Sequence, residues 1–319
     1  MHSISALAAF WILAPVLQVE EPITQGKLTV YVVRASQTDS RSYITLDEGL
    51  KSGAVELRER GSGDVNSLEV ENGSDKYLFL HVGDIIRGGK QDRTIATDVL
   101  IPPRSAPIAV DAFCVEHGRW TAHTRAGYAF SANDALASGA ALKRSIQRAQ
   151  SQQEVWDAVS VAEEVVAVYA AAPSNRLSSS GTYSAIVENE PLRKEREEYV
   201  EAVLPRVLAH EDAVGVVVAI NGEIVGADVY RSHELFGKLA RKVLDAYAQE
   251  AILSADAPAA APPTIGAVTR FLEDGSNVTT EFFSTTMERR SSENAVADIF
   301  EYRFHEDSKP LHSSYVKKK

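Results

Sequence analysis

One cysteine and two methionines in 319 residues leave little room for thiol or thioether chemistry. The single thiol, Cys114, makes neither an internal disulfide nor a multi-cysteine zinc site. Positive charge is also short, with 33 Lys and Arg against 44 Asp and Glu and a formal charge of −11. Duplex binding needs a basic footprint, so nucleic acid is set aside as a partner. Lys317-Lys318-Lys319 reads as part of a solvated basic tail over 311–319. Long apolar runs are confined to Ile4–Val19 (ISALAAFWILAPVLQV). That run is short for a spanning helix and about right for a signal h-region. No Lys or Arg precedes it and no A-x-A site follows. Residues 1–21 therefore read as an export signal, placing the protein in the periplasm or outside the cell, or else as an N-terminal helix packed on the domain. No later segment is apolar enough to span a membrane.

What is present is ordinary for a globular chain, with 45% apolar and 24% charged residues. Lys27–Arg34 (KLTVYVVR) alternates and is β-branched, as a half-buried strand requires. Thr45–Gly53 reads as a short helix, with Thr45 as cap, Glu48 three residues on, and Gly53 as stop. Ala54–Arg60, Thr94–Ile101 and Ile108–Val115 are strand-like, and Asn72-Gly73 predicts a hairpin within Ser67–Leu80. Residues 22–130 thus form a β-rich antiparallel sandwich or barrel-like part.

Residues 131–310 form a helical and α+β part, making the whole chain α+β. Helices are expected over Asn133–Gln150, Gln153–Tyr169 and Leu192–Leu208. Val214–Tyr230 reads as a hairpin about Asn221-Gly222, followed by a helix capped by Ser232. Leu235, Leu239, Val243 and Ala246 form its apolar stripe, with Lys238, Arg241 and Lys242 on its wet side. Asp228 and Tyr230 lie where that strand meets the helix, a place for a pocket edge. Thr269–Ser284 and Ala295–Phe304 read as closing strands.

Residues 81–120 (HVGDIIRGGKQDRTIATDVLIPPRSAPIAVDAFCVEHGRW) carry the densest polar pattern. Glycines in GGKQDR allow a tight bend or close approach of a ligand. Lys90 and Arg93 suit a phosphate or carboxylate. Asp92 and Glu116 are the candidate catalytic groups; Gly88, Gly89, Lys90, Gln91, Arg93, His117 and Arg119 are the candidate ligand contacts. No metal ligand and no cofactor is assigned. The G-x-x-x-x-G-K-[ST] spacing of a phosphate loop is absent. Strand alternation turns Cys114 and His117 to opposite faces, so they form no dyad.

GDIIRGGKQDRTIATDVLIPP, FCVEHGRW, SQQEVWDAV and VVAINGEIVGADVY resemble the family described as the ADP-ribosylglycohydrolase- and rhodanese-phosphatase-associated protein domain. With KLTVYVV and YITLDEGL the resemblance spans roughly Glu20 to Phe304. It implies a phosphorylated small ligand, ADP-ribose- or nucleotide-like, taken here by Gly88–Arg93. It supplies no catalytic residues. Two alternatives stay open: a non-catalytic module that holds a protein partner, and a metal-dependent enzyme centred on Glu116 and His117. The GGKQDR segment also has a purely structural reading, a bulge and turn tied by its own ions.

Overall fold

The computed structural model describes residues 17–36, 39–60, 66–118, 130–148, 151–171, 181–257, 260–282, 287–305 and 309–318. Two β-branched stretches set the centre of its largest sheet. Strand Leu28–Ala35 pairs antiparallel with Ala213–Ile220, which folds back on Glu223–Tyr230. Asn221 and Gly222 turn this hairpin at φ of 51° and 79°. A type I′ turn needs positive φ at both positions, and these two residue types tolerate it best.

From Glu223–Tyr230 the sheet continues through Pro310–Lys317, Ala297–Phe304 and Met287–Glu293 to Ser276–Phe282. At the other end Leu17–Val19 and Ile23–Gln25 both pair with Leu28–Ala35. The protein is a β-rich α+β fold with antiparallel sheets and a nearly closed, barrel-like sheet.

Two expectations about the ends of the chain change. Pro310–Lys317 is not a solvated tail but an interior strand of the nine-stranded sheet. His312 and Ser314 are buried there by polar partners rather than by hydropathy, which is why the stretch LHSSYV reads as tail. Leu17–Val19 is a strand, not a helix. The rest of the signal-like segment, residues 1–16, lies outside the described residues.

The β-rich part packs as two layers. One sheet runs Phe130–Leu136, Asp84–Gly88, Arg93–Ile95, Ser105–Cys114, Ser67–Asn72 and Val55–Glu59. The other runs Val99–Ile101, Tyr77–Leu80 and Tyr43–Thr45, with the last pair parallel. Leu78, Leu80, Val99 and Ile101 from the smaller sheet meet Leu68, Val70, Ile86, Ile95 and Val110 from the larger.

Thr94–Ile101, expected as one strand, is divided between these sheets, and the crossing at residues 96–98 carries Asp98 inward. Asn72-Gly73 likewise makes a corner between sheets, not a two-residue hairpin. The buried Asn72 amide donates to the carbonyls of Lys76, Ile101 and Pro102, while its oxygen accepts from the Ser74 backbone N–H. Its side chain thus satisfies carbonyls that a ladder would otherwise serve.

Helices lie on both faces of the large sheet, His233–Leu253 and its neighbours against Val30 and Val32, and Ile265–Phe271 against Tyr31 and Val33. Thr45 and Glu48 complete a capping box and Gly53 closes that helix at φ 70°. Ala140–Arg148 starts later than its pattern suggests, because Phe130–Leu136 is taken as a strand beside Asp84–Gly88. Ile265–Phe271 is a short helix before strand Ser276–Phe282. His233–Leu253, capped by Ser232, buries far more than one stripe, Lys242 included. Its neighbour Glu190–Leu208 crosses it through Arg196, which binds Asp245 and Gln249. Among the described residues no helix is long and apolar enough to cross a membrane.

Asn72→Ala leaves the three carbonyls without that donor. It is expected to cost about 1–3 kcal/mol, read as a lower urea midpoint at unchanged slope. An unchanged midpoint would show that the corner is held by something else.

Candidate functional site

His81 enters the interior at the end of strand Tyr77–Leu80, where the chain turns toward strand Asp84–Gly88. Two carboxylates fix this turn. Asp84 Oδ2 accepts from the His81 backbone N–H at 2.9 Å, and Asp98 Oδ1 accepts from the Val82 N–H at 2.7 Å. His81 Nδ1 lies 2.6 Å from the Val82 carbonyl. A carbonyl only accepts, so Nδ1 carries the proton and Nε2 presents its lone pair. That lone pair takes the Tyr230 hydroxyl at 2.6 Å. Burial pushes the His81 imidazole below its usual range, keeping it neutral.

His312 arrives from the strand misread as tail. Its cross-strand partners are Tyr230 on one side and Tyr302 on the other. That register explains the ring stack, with centroids 4.4 Å from Tyr230 and 5.6 Å from Tyr302. His312 Nδ1 donates to Asp98 Oδ2 at 2.6 Å and Nε2 to Asp228 Oδ1 at 3.2 Å. Burial alone would lower this imidazole. The two carboxylates outweigh it and push the group up to about 9. Burial likewise opposes ionisation of Asp228, but Lys143 and His312 hold it well below the usual carboxylate range. Tyr247 donates to Asp228 Oδ2 at 2.8 Å, and Lys143 Nζ lies 3.7 Å from the same oxygen.

A second buried charge set stands behind the first. Lys242 Nζ donates to Asp84 Oδ1 at 2.8 Å and also pairs with Asp47. Burial would lower this amine, but Asp84 and Asp47 reverse that and raise it. The His233–Leu253 helix is thereby pinned both to the His81 turn and to the Thr45-capped helix. A small cavity opens onto His81, Gly83, Ala137, Lys143, Gln147 and Asp228. It has ≈ 10 Å³ for a solvent-sized sphere, about the room one water needs. On its wall the buried Gln147 donates through Nε2 to Ser314, while its Oε1 has no partner among the described residues. His81, Asp228 and His312 offer ligand atoms within 4.8 Å of one another, the spacing of a cation site.

The residues expected to form the site from Gly88 to Arg93 sit together elsewhere, in a closed knot. Asp92 Oδ1 accepts from the Gly88 N–H at 3.1 Å and Oδ2 from the Thr182 hydroxyl at 2.8 Å. Glu116 Oε2 accepts from the Asp92 N–H, and the Gln91 amide reaches the Glu116 carbonyl. Arg93, fully buried, donates to Cys114 Sγ at 3.0 Å and pairs with Glu59. Burial pushes the Cys114 thiol up to about 11. Gly88 and Gly89 both have positive φ, and a Cβ on Gly89 would collide with Phe130 and Glu59. The Lys90 N–H is held by Glu59. His117 is exposed, its ring edge-on to Trp156 at 4.7 Å. Arg119 lies outside the described residues.

Strand Asp84–Gly88 joins the knot to the histidine centre. Four residues of strand separate the two ends by about 13 Å. From the knot the chain returns through Arg93–Ile95 to Asp98. The marker residues therefore hold the two strands that deliver Asp84 and Asp98.

A family model described as the ARG and Rhodanese-Phosphatase-superfamily-associated Protein domain matches residues 16–316. The chain belongs to that family. The match ends at Val316, within strand Pro310–Lys317, so His312 lies inside this associated-protein domain together with His81 and Asp228. No curated protein and no solved structure matches the chain.

Of the histidine centre, sequence reasoning placed only Asp228 and Tyr230 at a pocket edge. Their i, i+2 spacing on a capped hairpin is a usable signal. His312 carried no such signal, since three polar residues run together in LHSSYV, and Lys242 was hidden by assuming that a helix lysine is wet. Removing that amine leaves two buried carboxylates unpaired. Lys242→Ala is expected to cost about 3–5 kcal/mol in equilibrium urea unfolding. A loss within experimental error would mean that Asp47 and Asp84 are hydrated.

Proposed function

We propose that the protein binds and hydrolytically processes a phosphorylated small molecule of the ADP-ribose or nucleotide kind at the cavity over His81 and Asp228. One observation carries this reading: a set of buried ionised groups surrounds a water-sized cavity with an ammonium, Lys143, on its wall. Buried charge costs stability unless fully paired, and such clusters beside a cavity mark functional sites. The cavity takes one water or one reacting group, so most of the ligand lies outside it. Lys143 supplies the anion contact as a compact point charge. Asp228, held by Tyr247 and His312, and Gln147, with its unpartnered oxygen, orient what enters. The associations in the family's name support the same ligand class. In this reading the Gly88–Arg93 segment is the brace of the site, not its contact surface.

Calorimetry with ADP-ribose, NAD and nucleoside diphosphates tests it on the intact chain. Binding is expected to weaken at least tenfold in Lys143→Ala and in folded Asp228→Asn, a loss of about 1.4 kcal/mol, and to stay within twofold in Lys90→Ala. Dependence on Lys90 but not on Lys143 would return the ligand to Gly88–Arg93. No binding of any of these compounds would remove the ligand class.

A further inference from the structure

We propose that His81, His312 and Asp228 hold one divalent transition-metal cation, of the zinc or iron(II) kind, at the inner end of the cavity. The inference rests on the reading that this cavity is the working site. A histidine that ligates a metal through one nitrogen usually donates the other N–H to a carboxylate or a backbone carbonyl. Both rings already do so: His81 Nδ1 is bound to the Val82 carbonyl and His312 Nδ1 to Asp98. His312 Nε2 faces Asp228 Oδ1, while His81 Nε2 holds its lone pair toward the Tyr230 hydroxyl, within the same group of three.

The spacing agrees. His312 Nε2 and Asp228 Oδ1 are 3.2 Å apart. Tetrahedral bonds of about 2.0 Å place neighbouring ligand atoms roughly 3.3 Å apart. The whole set spans no more than 4.8 Å, which a small closing movement of His81 brings to that edge length. Asp228 has its own outer partner, since Tyr247 donates to its second oxygen.

Two imidazoles and one carboxylate are a borderline ligand set suited to zinc or iron(II), not to calcium or magnesium. Three protein ligands leave an open coordination position, the hallmark of a working rather than a structural site. The cavity supplies the room for a water there, and the unpartnered Gln147 Oε1 on its wall is an acceptor for that water's proton. Binding would expel the His312 Nε2 proton to solvent, since a ligating imidazole must be neutral, release the Tyr230 hydroxyl from His81 Nε2 and displace Lys143 from beside Asp228.

The test uses the full chain, stripped with chelator, reloaded with Zn²⁺ or anaerobic Fe²⁺ and measured for bound metal by mass spectrometry. Cobalt(II) substitution gives an independent visible spectrum. One metal per chain and a higher Tm on loading are expected. His81→Gln and Asp228→Asn should abolish stoichiometric loading, and Lys143→Met should retain it. Asp98→Asn, which touches no metal, should weaken affinity about 10–100-fold. ADP-ribose binding is measured separately on the stripped and loaded chains. No bound metal in the loaded native sequence, with ADP-ribose binding intact, overturns the cation and leaves the site. Stoichiometric metal without ADP-ribose binding supports the cation and overturns the ligand reading. Loading that survives both His81→Gln and Asp228→Asn places the metal elsewhere and overturns the assignment.

Discussion

An imidazole held between two carboxylates in a dry interior is the constraint around which this fold is arranged. His312 is fully buried, with Asp98 on one nitrogen and Asp228 on the other. Such a group is tolerable only if every partner is fixed, because an unpaired buried charge costs several kcal/mol. The partners come from distant stretches of chain. Asp98 is carried by the crossing between the two smaller sheets, Asp228 by a hairpin strand, and His312 by a strand near the end of the chain. Each must be held in register for the centre to exist. The antiparallel pairing of Glu223–Tyr230 with Pro310–Lys317 does this on one side. On the other side the work falls to the knot around Asp92 and to the Lys242 ion set.

This division gives the GGKQDR segment a physical role that its polarity disguises. Its glycines adopt positive φ so that the chain can reverse beneath Phe130, Asp92 closes on the Gly88 N–H and Thr182, and Arg93 on Cys114 and Glu59. A ligand-binding loop presents donors outward, whereas here Asp92 has a donor on each carboxylate oxygen. The segment braces two strands, one beginning at Asp84 about 13 Å away and one leading through Arg93–Ile95 to the crossing that carries Asp98.

The legible parts of the fold were those where local and tertiary preferences agree. Thr45 with Glu48, Asn221-Gly222 and Ser232 each name their element, because caps and I′ turns depend on a few adjacent residues. Asn72-Gly73 shows the limit, since the same dipeptide turned a corner between sheets once Asn72's side chain took the carbonyls. The centre was legible only at Asp228 and Tyr230. His312 and Lys242 were read as solvated because hydropathy assigns charged side chains to water. Pairing reverses that assignment, and pairing depends on residues from 84 to 214 positions away. The helix Ala140–Arg148 is a milder case, shortened at its start by a strand partner that no local pattern announces.

Histidine side-chain ¹⁵N spectra of the metal-stripped protein test the central claim most directly, because they read the protonation of each ring nitrogen. At pH 7.5 His312 is expected as an imidazolium with both nitrogens protonated, and His81 as a neutral ring protonated on Nδ1. His312→Gln identifies the first signal. A neutral His312, or a His81 ring protonated on Nε2, would contradict the buried charge chain on which the site is built.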